Sequence, residues 1–92
     1  MVKEYRIKGL FNMRATKEMF MAFVNELSSM VGEQLYLVKS YDMLYVSPVN
    51  HSVQCQSNYL YCMSNAFTME NYHSLMAFVA GYAAALRRMQ GN

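Results

Sequence analysis

"QLYLVKSYDMLYVS", Gln34–Ser47, decides the fold of this 92-residue chain. Leucine, valine and tyrosine crowd both halves of it, so Gln34–Ser40 and Met43–Ser47 each read as a strand. Tyr41 and Asp42 stand between them in a tight turn. Pro48 and the polar "VNHS" that follows end the second strand, because proline cannot donate to a ladder. The two shorter runs beyond, "VQCQ" (Val53–Gln56) and "NYLYCMS" (Asn58–Ser64), read as a last hairpin through Ser57 and Asn58, or as one irregular strand. From Gln34 to Ser64 nothing has a helical period.

Both flanks of this centre have one. Met19, Phe20, Phe23, Val24, Leu27, Met30 and Val31 recur at helical spacing, with Thr16 placed to cap the start and Gly32 to end it. Tyr72, Leu75, Met76, Val79, Tyr82, Ala83 and Leu86 form a second stripe. Thr68 caps it, Glu70 lies in its first turn, and Arg87 and Arg88 lie in its last, each charge complementing the helix dipole. Before the first helix, Lys3–Phe11 alternates Tyr5, Ile7 and Phe11 against Glu4, Arg6 and Lys8, the pattern of a half-buried strand. The order is β-α-β-β-(β-β)-α in a single domain, residues 1–92. It predicts an α+β two-layer sandwich: an antiparallel sheet of 3–5 strands with two helices on one face, ferredoxin-like or a related arrangement.

Composition removes several functions before any motif is weighed. Apolar residues make up 54% and charged residues 15%, where soluble domains carry about 25% charged. A net charge of +2 argues neither for a strongly basic nucleic-acid binder nor for an acidic mimic. "SLMAFVAGYAAAL", Ser74–Leu86, is uncharged but runs only thirteen residues, short of the about 20 that cross a bilayer. The charged, alternating N-terminus resembles neither a signal nor a transit peptide. The cytoplasm is therefore the expected compartment, with Cys55 and Cys62 reduced.

No catalytic, cofactor or metal site is expected. His51, Cys55, Cys62 and His73 are the only ligand-type cluster in sequence, and they lack the Cys-x-x-Cys spacing of recurrent zinc sites. The six carboxylates are scattered singly, so no pair is set for acid-base work. Gly9, Gly32, Gly81 and Gly91 are too far apart to cradle a phosphate.

Binding is what remains. Between Ser40 and Leu86 only Asp42 and Glu70 are charged, and the β-rich part of that span consists largely of Tyr, Ser, Asn, Gln and Met. Protein-recognition surfaces favour this mixture, since tyrosine brings large rigid contact and the small polar residues adapt their hydrogen bonds. Tyr41, Tyr45, Tyr59 and Tyr61 are candidate contacts for a protein partner, and Ala77, Gly81 and Ala84 on the second helix are candidates for close approach of another backbone. A glycine inside a helix costs about 1 kcal/mol against alanine, so its presence asks for a reason. The expected function is that of a small inhibitor or adaptor acting by protein binding, with a homodimer among the options. Phage and mobile-element inhibitors of host defence nucleases, such as the anti-CRISPR proteins, are the familiar group of this description.

The alternative is a small basic RNA- or DNA-binding module. Lys3, Arg6, Lys8 and Arg14 crowd the N-terminus, and Arg87 and Arg88 would join them if the second helix ended near that strand. "YRIKGLFNM", Tyr5–Met13, resembles the first strand of the archaeal ribosomal protein LX family over nine residues, a likeness that stops where the long helix begins.

Overall fold

The computed structural model describes residues 13–91. The strand expected over Lys3–Phe11 lies outside them. The first helix, α1, spans Lys17–Val31, and Thr16 caps it as expected: its Oγ1 accepts from the Met19 N–H at 3.3 Å. Met19 also returns the contact, its Sδ accepting from the Thr16 N–H at 3.5 Å, where a glutamate would more often serve. Gly32 ends the helix at φ +79°, the left-handed conformation in which a Cβ is strained, and its N–H donates to Ser28 O at 3.0 Å. Ser28 joins helix to sheet. Its hydroxyl donates to Val24 O and accepts from the Leu35 N–H, both at 2.9 Å.

Strands β1 (Tyr36–Ser40) and β2 (Met43–Ser47) form the expected antiparallel hairpin, and β3 (Tyr61–Ser64) pairs on the other side of β2. The register runs Leu37↔Val46↔Tyr61 and Lys39↔Leu44↔Met63 on one face, and Val38↔Tyr45↔Cys62 on the other. Three strands in the order β1-β2-β3 make up the sheet among the described residues.

The second helix, α2, spans Met69–Gln90, with Thr68 Oγ1 accepting from the Asn71 N–H at 3.2 Å. Both helices cover the same sheet face. Phe20, Val24 and Leu27 of α1 meet Leu75 and Val79 of α2 over Leu44, Val46 and Met63, all essentially buried. Each such side chain contributes roughly 1.5–3 kcal/mol by leaving water. The helices start side by side because their entering segments pair: the Ala15 N–H donates to Phe67 O at 2.9 Å and the Met69 N–H to Met13 O at 2.8 Å. Phe20 fills the angle beneath, edge-on to Phe67 at 5.1 Å and to Tyr72 at 5.9 Å.

The expected strand over Val53–Gln56 is not formed. Those residues belong to an irregular crossing, residues 48–60, that folds over the sheet face opposite the helices and contains one 3-10 turn, Gln54–Ser57. The alternation of "VQCQ" misleads because His51 organises a turn instead. Its Nδ1 accepts from the Val53 and Gln54 N–H groups at 3.2 and 3.3 Å, and its carbonyl accepts from the Cys55 N–H at 2.9 Å. The sandwich therefore has a helix layer on one side of the sheet and this strap on the other.

Candidate functional site

The strap is anchored by polar residues at strand ends. Ser40 and Ser47 are buried although both lie on β-strands. Ser40 Oγ accepts from Gln56 Nε2 at 2.8 Å; Ser47 Oγ donates to Asn58 O and accepts from the Val49 N–H at 2.9 Å. Cys55 drops into the middle, fully buried, its thiol donating to Ser52 O at 3.5 Å. Burial pushes that thiol above its ordinary value of 9.0, against a smaller opposing effect of its backbone hydrogen bond.

Tyr59 closes the strap and remains 45% exposed. Its ring meets Tyr45 edge-on, with centroids 5.0 Å apart and planes at 66°. Its hydroxyl lies beside Cys62, one strand along from Tyr45 on the same face. The charge Cys62 carries once ionised, then the hydrogen bond to its sulfur, then slight burial and the Tyr45 phenol all raise the Tyr59 phenol above 10.0. Two further large side chains are exposed: Val53 on the strap, 59% exposed, and Tyr41 at the hairpin tip, 78% exposed. Tyr41 holds φ +55°, a conformation uncommon for a bulky residue. Between Lys39 and Glu70 the sole charge is Asp42.

The structure brings the expected contact residues together only in part. Tyr45 and Tyr59 form one cluster, and Tyr41 stands at the turn of the same hairpin. Tyr61 points to the other side of the sheet, where it stacks on Phe78 of α2 at 4.7 Å and 23°, so it serves packing between the layers. Ala77, Gly81 and Ala84 lie on the outer side of α2, a separate surface: Ala77 and Gly81 are exposed and Ala84 half-buried. Among the described residues no atom lies within 4 Å of a Cβ built on Gly81, so none of them demands a glycine there. Sequence reasoning weighed His51 only as a metal-type ligand and missed its turn-forming role, along with Val53 and Gln56. Their one signal was the run of small polar residues around them, which specifies a loop without saying which face it covers.

The basic residues do not converge among the described residues. Arg14 pairs with Thr68 at the start of α2, whereas Arg87 and Arg88 occupy its last turn, about 28 Å further along at 1.5 Å per residue. Lys3, Arg6 and Lys8 lie outside the described residues. Within those described, no group of three or more His, Cys, Asp or Glu side chains is close enough to hold a metal ion. His51 instead caps the 3-10 turn. No described helix is long and apolar enough to cross a membrane.

No protein-family model, no curated protein and no solved structure matches the chain. The nine-residue likeness at the N-terminus acquires no family behind it.

Proposed function

We propose that this protein acts by binding another protein through the strap face of its sheet, as an inhibitor or adaptor with no chemistry of its own. The observation that carries this reading is Tyr59: a half-exposed aromatic held by Tyr45 and Cys62 within a surface almost free of charge. Binding energy in protein interfaces concentrates in a few aromatic anchors, and an anchor already fixed in place loses less entropy on association. Tyr41 and Val53 extend the apolar contact, and the serine, asparagine and glutamine side chains of the strap supply a polar rim. Occlusion of a larger enzyme's working surface needs only such a patch, which is how small phage and mobile-element inhibitors of defence nucleases, the anti-CRISPR group among them, would use it inside a cell. The nucleic-acid alternative has less support, because Arg14 and Arg87 with Arg88 sit at opposite ends of α2.

Affinity capture from cells of the native source, with the full chain as bait, separates the two. Under this reading one protein is recovered in near-equimolar amount and stays bound in about 0.5 M salt, where exposed charge contacts are screened within roughly 4 Å. It is lost when Tyr59 and Val53 are both replaced by arginine. Recovery of nucleic acid that salt releases, with the Tyr59→Arg, Val53→Arg variant behaving as wild type, would overturn it.

A further inference from the structure

The outer face of α2 has a pattern of its own, independent of the strap. Glu70, Ser74, Ala77, Gly81, Ala84 and Arg88 follow one another in steps of four and three residues, the spacing of a single seam along a helix. Five of the six are exposed and Ala84 is half-buried. The middle of the seam is small, and no described residue lies within 4 Å of a Cβ built on Gly81. Its ends carry opposite charges. Each member has a counterpart at the same distance on the other side of Val79: Ala77 with Gly81, Ser74 with Ala84, Glu70 with Arg88.

We infer that this seam is a self-complementary contact, at which α2 of a second copy packs antiparallel across a two-fold axis at the level of Val79. The orientation follows from charge. Antiparallel packing sets Glu70 of each copy against Arg88 of the other, whereas parallel packing would set glutamate on glutamate and arginine on arginine. The closeness follows from size, since Ala77 opposite Gly81 lets the axes approach to the short end of the usual 8–10 Å. A glycine that none of the described residues requires acquires a reason at the crossing. One helix per copy covers less than the about 1,200 Å² of stable interfaces, so the contact is weak and reversible, in the range of roughly 10 μM to 1 mM. It leaves the strap face free on both copies.

Sedimentation equilibrium of the purified full chain over that concentration range tests it. The expected result is an average mass rising from 10.7 kDa towards twice that value, with the rise suppressed by salt. Gly81→Leu abolishes association while raising the melting temperature, because leucine is the better helix former and its Cβ meets no described neighbour. Arg88→Glu weakens association about tenfold, and adding Glu70→Arg to it restores association despite the less favourable helix ends. A wild-type chain that remains monomeric at 1 mM would overturn the inference, as would Gly81→Leu associating like wild type or a double reversal without rescue.

Discussion

Asn71 shows how much one side chain settles. It is buried at the start of α2, and its Nδ2 faces Ser64 O at 3.0 Å, Ser64 Oγ at 3.0 Å and Ala66 O at 2.7 Å, closing the link between β3 and the helix. Replacing it with alanine removes the donor that Ala66 O accepts from and one of the two N–H groups on Ser64 O, which keeps the Ala66 N–H, so Asn71→Ala should cost about 1–3 kcal/mol in urea unfolding. Asn71→Asp should also destabilise, because a carboxylate oxygen in place of Nδ2 faces the Ser64 and Ala66 carbonyl oxygens, with the Ser64 hydroxyl alone of the three able to donate to it. Cys55 makes a different kind of contribution. Its folded pKa is raised above 9.0, so the unfolded chain gives up the proton first as pH rises. Its contribution is whole below pH 9 and is lost as pH climbs through the folded value; the raised Tyr59 phenol adds to the same alkaline loss from about pH 10. Unfolding free energy should therefore fall on the alkaline side. Cys55→Ala, though less stable at neutral pH through the cavity it leaves, should show a flatter profile over that range.

At the scale of elements, the helices were legible because two independent signals agree at each. The apolar stripe sets where the helix faces, and Thr16, Gly32 and Thr68 set where it starts and stops. Gly32 at φ +79° is the sharpest of these, and Gly32→Ala should destabilise by about 1 kcal/mol in thermal unfolding, whereas Gly81→Ala should stabilise by a similar amount. The hairpin was legible for the same reason, its turn being bracketed by two β-rich runs. The strap was not. Alternation in "VQCQ" has period two whether or not a partner strand exists, and what overrides it is the capping of a turn by His51 and the seating of Gln56 and Asn58 on Ser40 and Ser47. The His51 turn is local, but the two serine contacts join residues 16 and 11 positions apart, which local pattern does not contain. The candidate site shares this limit. Which residue types would serve was readable, but their faces were not, because Tyr59 lies before β3 begins and Tyr61 inside it, two positions apart yet on different sides of the sheet. Ser47→Ala, which frees Asn58 and the strap's end, should leave the helices intact and increase amide exchange along residues 49–59.

At the scale of the whole molecule, the fold divides labour among layers. The helix side of the sheet is occupied by core, and Tyr61 belongs to it. The strap side places Tyr59, Tyr45 and Val53 on a nearly uncharged surface, and the outer face of α2 carries the small-residue seam proposed for a second copy. Two tyrosines close in sequence thus carry opposite expectations. The most direct test compares the affinity of Tyr59→Ala and Tyr61→Ala for the captured protein by titration calorimetry, with melting temperatures measured on the same samples. The account predicts that Tyr59→Ala weakens binding about 30-fold, near 2 kcal/mol, while melting close to wild type. Tyr61→Ala should lower the melting temperature through loss of its stack on Phe78 and bind as wild type where folded. Full affinity in Tyr59→Ala, or loss of binding in folded Tyr61→Ala, would contradict the placement of the binding surface on the strap.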